Sequence, residues 1–324
     1  MLSDNPKIRA ALGSLLAAAF LCVLKLTIGI VTGSLAVLSS GIDSFLDILM
    51  SGINFIAIRR AEEPPDKEHP FGHGKFETVA TLLQSLFIAV SGAWILFESY
   101  HRLKKGIHLS NLGSGMAVLL FGAVLSLFVS RMLRRVARET DSAALKADAI
   151  HFSMDVYTNG ALFAGLMAIS LFGITWLDPV LSMLVAVYIL IESFRLLRYV
   201  MRDILDVELP EPLRREIISL IESFDLGFVG FHNLRTRRAG SRKIMDFHLV
   251  VCRKITVEEA HDIADALEKR IEEAILGADV TIHLEPCEQH PCLGSETCPA
   301  TKQNENQPTK KCWRKNEEET SGIE

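Results

Sequence analysis

Residues 39–58 read SSGIDSFLDILMSGINFIAI. The stretch is apolar enough to cross a membrane, yet it holds Asp43 and Asp47 four residues apart. Ser40, Asp43, Asp47, Ser51 and Asn54 recur at steps of three or four, which places them on one face of a helix. A carboxylate at the centre of a bilayer costs about 2.5–3.5 kcal/mol on insertion scales, so two of them on one stripe call for a partner.

Five further stretches have the same length and apolar character. Together the six predicted spans are approximately Ala10–Thr32, Ala36–Ile58, Glu77–Tyr100, Leu112–Ser130, Ala144–Phe172 and Pro179–Tyr199. The first is too long for a secretory signal core and runs almost directly into the second, so it reads as a retained span. The chain is 49% hydrophobic and has a mean hydropathy of +0.27, in keeping with a membrane protein. Lys7 and Arg9, the loop basics Arg59, Arg60, Lys67 and Lys75, the arginines 131, 134, 135 and 138, and Arg198 with Arg202 fall in every second connection, all on one side of the spans. The positive-inside rule then puts both termini in the cytoplasm of an inner-membrane, multi-pass protein. Arg102, Lys104 and Lys105 lie on the other side and run against the rule. The net charge of −5 points to neither nucleic acid nor an anionic surface as a partner.

Beyond about residue 205 the composition turns charged and amphipathic. The predicted order over residues 206–286 is α-β-β-α-β, an open sheet with helices on one face. Thr256 and Glu259 form a capping-box pattern ahead of an amphipathic helix. Residues 287–324 are a polar, cysteine-bearing tail of disordered composition. The expected organisation is therefore a six-span domain over 1–205, an α+β domain over 206–286 and a tail.

The partner for the first stripe lies in span five, where Asp148, His151, Asp155 and Asn159 share a face. Asp43, Asp47, His151 and Asp155 would bring three carboxylates and one imidazole together, a donor set suited to tetrahedral Zn²⁺. The same ligands bind protons, so proton uptake on metal release is expected. A buried polar network pinning the bundle is the competing reading.

The loop PPDKEHPFGHGKFE (64–77) packs Asp66, His69 and His73 close together. It reads either as a surface metal site or as an ordinary polar loop. In the soluble part, strand alternation puts His248 opposite the apolar residues Met245, Phe247, Leu249 and Val251. His283 and Glu285 share a face of the last strand, with His232 on a neighbouring strand and His261 on the helix. As a set these five favour metal binding. Cys287, His290, Cys292 and Cys298 could hold a soft ion or be reactive thiols on a flexible tail.

DSFLD (43–47), HPFGHGKFE (69–77), HFSMD (151–155) followed by NGA, LDP (177–179) and ILDVELP (204–210) together resemble the cation diffusion facilitator family, in its bacterial zinc/iron-transporting branch. The resemblance covers about residues 10–286. It implies a homodimeric exporter with a metallochaperone-like cytoplasmic domain, exchanging cytoplasmic divalent metal for protons by alternating access. It further implies a transport site at Asp43, Asp47, His151 and Asp155, a loop site at Asp66, His69 and His73, and a cytoplasmic site at His232, His248, His261, His283 and Glu285. Lys75 and Asp206 match a charge interlock, and Glu285 stands where the family pattern has aspartate. No cofactor is implied: Zn²⁺, with Fe²⁺, Cd²⁺ or Co²⁺ as alternatives, would be cargo and regulator.

Two rivals are a non-transporting metal sensor or scaffold on the same fold, and an intramembrane aspartyl protease. Against the protease, the sequence has no GxGD, only GID, and no HExxH, so an enzyme is not expected.

Overall fold

The computed structural model describes residues 5–32, 35–105, 113–172, 176–224 and 227–288. It divides into two compact units, Met1–Leu205 and Asp206–Glu324.

Six long helices make up the first unit: α1 (Pro6–Thr32), α2 (Leu35–Ala61), α3 (Lys75–Lys105), α4 (Gly113–Thr140), α5 (Ala143–Phe172) and α6 (Leu177–Ile204). Each exceeds the roughly 20 residues needed to span a bilayer. Among the described residues, segments of α1, α3 and α6 are apolar enough to cross a membrane by composition alone. α2, α4 and α5 combine long apolar stretches with the polar features of the bundle. α2 and α5 carry the acidic and histidine stripes, and α4 keeps Arg131, Arg134, Arg135 and Arg138 within its last turns rather than in a loop. Arg102, Lys104 and Lys105 are likewise the final turn of α3.

α1 packs on α2, α3 on α6 and α4 on α5. One buried cluster joins Ala11 and Ala18 of α1, Ile58 of α2, Leu133 of α4, and Ala144, Leu145 and Phe152 of α5. A second joins Ile88 of α3, Ala147 and Met154 of α5, and Ile189 and Leu196 of α6. α5 therefore contributes to both clusters, which places its polar stripe at the centre of the bundle. Alanines recur at these contacts because lipid offers no hydrophobic drive between helices, and close backbone approach must supply the dispersion energy. Phe20, Trp94, Phe128 and Phe194 point outward and are exposed, as lipid-facing side chains are.

The second unit holds α7 (Glu211–Glu222), β1 (Phe228–Ala239), β2 (Arg242–Val251), α8 (Val257–Ala274) and β3 (Ala278–Pro286). The sheet order is β1-β2-β3, with β1 antiparallel and β3 parallel to β2. The α8 crossover makes the parallel pairing sterically accessible. Gly240, with φ of +65°, takes the left-handed conformation that the two-residue hairpin turn requires. Thr256 caps α8, and its hydroxyl and backbone N–H complete the expected capping box with Glu259. One face of the sheet packs Met245, Phe247, Leu249 and Val280 against Ile217 and Ile221 of α7 and Leu267 and Ile271 of α8. The opposite face is free to carry polar chemistry.

Candidate metal centres

Helical periodicity assembles the intramembrane centre. His151 and Asp155 are one turn apart on α5, and Asp47 faces them from α2. His151 Nε2 lies 3.1 Å from Asp47 Oδ1. One ligand atom from each of Asp47, His151 and Asp155 falls within 4.8 Å of the others, close enough to share one ion. His151 is buried, and the rings of Phe87 and Phe152 flank its imidazole at centroid distances of 6.1 and 5.8 Å. Its Nε2 faces Asp47, and its Nδ1 has no hydrogen-bond partner among the described residues. A buried imidazole grouped with two carboxylates, one of its nitrogens unpartnered, is arranged to receive a ligand. Asp43 lies on α2, but its side chain is outside the described residues.

One turn before His151, Asp148 is fully buried. Its Oδ1 accepts from Ser51 Oγ at 3.4 Å and from Gln84 Nε2 at 3.3 Å, and Asn54 Nδ2 donates to Gln84 Oε1. This network ties α2, α3 and α5 together beneath the centre. The stripe residue Asp148 thus serves as a hub of polar contacts, while Gln84 escaped the sequence reading altogether. An amide inside an apolar span was the signal that could have found it. Lys25, another polar residue within a span, donates to Ser44 Oγ at 2.8 Å and is buried. At the loop-side end of the bundle Lys7 lies 2.5 Å from Glu62 and 3.5 Å from the fully buried Glu77, which also accepts from Ser142 at 3.0 Å. Lys7 was read only as a topology charge.

The loop between α2 and α3 gathers Asp66, His69 and His73 into a second group with ligand atoms within 4.8 Å of one another. Asp66 lies 3.4 Å from His69 Nδ1 and 3.3 Å from His73 Nε2. The His69 backbone N–H, 2.6 Å from Asp66 Oδ1, holds the Asp66 carboxyl below its ordinary range, with the Glu68 N–H and the two imidazoles adding to the effect. Gly72, at φ of +80°, allows the turn that brings the two imidazoles to 4.5 Å between centroids.

The third group lies on the polar face of the sheet. The antiparallel register sets His232 opposite His248, and the parallel register sets His248 beside His283. Glu285 reaches across to both strands, with Oε1 2.7 Å from His248 Nδ1 and Oε2 3.2 Å from His232 Nε2. His232, His248 and Glu285 form the cluster, and the His283 ring stands 4.9 Å from that of His248. His261 is exposed on α8. Among the described residues it does not join the cluster.

Cys287 is buried at the end of β3, whereas His290, Cys292 and Cys298 lie outside the described residues. Lys75 Nζ donates to the Asp203 carbonyl at 2.7 Å within the first unit, and Asp206 lies 3.5 Å from Arg237 within the second.

A helical membrane bundle with a carboxylate–imidazole cluster at its centre, followed by a soluble α+β unit with another, defines an integral membrane protein built to handle cations. Comparison with known proteins makes this specific. Residues 11–205 match the family model for the cation efflux transmembrane domain, and residues 209–287 match that for the cation efflux protein cytoplasmic domain. The chain is 34% identical over 286 residues to proteins named cation-efflux pump FieF from Salmonella newport and Salmonella typhimurium, covering 88% of this chain and 95% of each relative. A solved structure described as that of a zinc transporter, CzrB, in its zinc form is 41% identical, covering 25% of this chain and 92% of its own, with a TM-score of 0.24. The chain belongs to the cation efflux family: it is a membrane-inserted cation-efflux transporter and not an enzyme.

Proposed function

We propose that this protein exports divalent transition metal from the cytoplasm in exchange for protons, with Zn²⁺ as preferred cargo and Fe²⁺, Cd²⁺ or Co²⁺ as alternatives. The observation that carries the reading is the convergence of Asp47, His151 and Asp155 on one point inside the bundle. With Asp43 as fourth ligand, one nitrogen and three carboxylate oxygens suit a borderline ion better than a hard one. Metal entering from the cytoplasm exchanges its water for these ligands, and rocking of the helices turns the centre outward. Protons then compete for the imidazole and carboxylates and release the ion.

The protein acts in this reading as an inner-membrane homodimer with both termini cytoplasmic. Metal held by His232, His248, His283 and Glu285 regulates transport by favouring one conformation of the paired cytoplasmic domains. The Asp66, His69 and His73 loop is an auxiliary metal site. The test of proton coupling is Zn²⁺ flux in proteoliposomes carrying an internal pH-sensitive dye. Metal movement should be matched by opposite proton movement and should slow when a protonophore removes the gradient. Metal flux indifferent to the gradient would exclude antiport.

A further inference from the structure

The outer face of α4 changes character along its length. Phe121, Val124 and Phe128 are exposed at steps of three and four, and the exposed Arg131, Arg135 and Arg138 continue the same steps. Helical periodicity puts all six on one stripe. Its apolar part lies within the predicted span Leu112–Ser130, where an outward side chain meets lipid tails. Its basic part begins where that span ends, at the level of the lipid headgroups.

Arg131, Arg134, Arg135 and Arg138, with Glu139, line a cavity of about 390 Å³. Four arginines against one glutamate leave a local charge of +3, although the chain as a whole carries −5. The Arg135 Nε–H donates to Glu139 at 2.9 Å. The Arg134 guanidinium donates to the buried Ser153 Oγ of α5 at 2.7 Å, which fixes it against the bundle. Arg131 and Arg138 make no ion pair among the described residues. The basic end of α3 is different: Arg102 pairs with Glu98 at 3.0 Å, and Lys104 Nζ stands 4.5 Å over the Tyr100 ring. The α4 arginines thus form a concave, anion-seeking surface that joins directly onto a lipid-facing one.

We propose that this end of α4 binds the headgroup of an anionic phospholipid, whose acyl chains lie along Phe121, Val124 and Phe128. Guanidinium groups take phosphate oxygens as a two-pronged fork, which a point charge cannot do. Basic clusters directly beyond a membrane helix draw anionic lipid, with about a fivefold gain in affinity for each charge near the surface. The stripe offers both halves that such a lipid needs, and a free anion would use only one of them. The site requires only that the bundle lie in a membrane. It is independent of proton coupling and of the ion carried, so its failure would leave the transport reading untouched.

The test is native mass spectrometry of the delipidated full-length protein in detergent, titrated separately with phosphatidylglycerol and phosphatidylcholine. The first phosphatidylglycerol should bind more tightly than the first phosphatidylcholine. The Arg131→Gln and Arg138→Gln double variant should lose about thirtyfold in phosphatidylglycerol affinity, the product of two near-surface charges, and should bind phosphatidylcholine as before. The Arg131→Lys and Arg138→Lys variant should keep most of the preference. Arg102→Gln with Lys104→Gln, at the other end of the bundle, should leave it unchanged. Equal affinity of the unmodified chain for the two lipids would overturn the proposal, as would a Gln pair at 131 and 138 that binds phosphatidylglycerol normally. A matching loss from the 102 and 104 pair would reduce the effect to general surface charge and overturn it too. Displacement of the lipid by millimolar inorganic phosphate would make this a free-anion site instead.

Discussion

Gln84 shows how much rests on a single neutral side chain. It accepts from Asn54 of α2 and donates to the fully buried Asp148 of α5, so one amide on α3 joins three helices. Gln84→Leu keeps the bulk and removes both contacts. The Asn54 amide is then left without its acceptor and Asp148 with one donor fewer, and a buried polar group left unpaired costs about 1–3 kcal/mol. The variant should therefore unfold at lower temperature in detergent, and an unchanged midpoint would mean that Asp148 finds another donor. The Asp47, His151 and Asp155 group was legible in the sequence because helical spacing is a local property, readable wherever a costly charge recurs every third or fourth residue. Gln84, Lys25 and the Lys7–Glu77 pair were not read, because each acquires meaning only from a partner on another helix. Glu285 was legible as a face residue, but its grip on two histidines depends on a strand register that alternation alone does not supply.

Among the elements, the helix pair α3 and α6 depends on a glycine. A Cβ on Gly92 would stand 2.8 Å from Ile189 Cγ2 and 3.2 Å from Leu190 Cδ2. Gly92→Val should force these helices apart at a cost of about 1–3 kcal/mol, seen as a lowered unfolding midpoint; a neutral result would show that α6 shifts freely. At α8 the capping box makes a pH prediction. Hydrogen bonds from the backbone and hydroxyl of Thr256 hold the Glu259 carboxyl below its ordinary range. A depressed carboxyl stabilises the fold above its unfolded value of about 4.3, and that stability is lost as pH falls through the lower folded value. Wild type should be more stable than Glu259→Gln at neutral pH, and the gap in urea midpoint should close in acid. A gap independent of pH would assign the effect to something other than the carboxylate. The cap was visible from sequence because Thr and Glu three apart before an apolar stripe form a local pattern. The parallel pairing of β2 with β3 was not, since strand direction depends on how the α8 crossover returns.

At the scale of the whole molecule, the chain is two units with separate cores. The second has its own buried set drawn from both helices and the sheet. A fragment spanning residues 206–288 should fold alone and unfold in one cooperative urea transition; a non-cooperative profile would show that its stability is borrowed from the bundle. In the first unit α2 and α5 keep carboxylates and a histidine inside otherwise apolar helices, which is costly in a membrane. That cost is sustained because both stripes meet at α5, the helix shared by the two buried clusters. The central claim is that this meeting point is where the exported ion binds. It is tested most directly by Zn²⁺ flux into proteoliposomes for the wild type, Asp47→Ala and Asp155→Ala, each checked for folding and equal reconstitution. Both substitutions should reduce flux to the level of empty vesicles, and flux that persists in either variant would contradict the assignment.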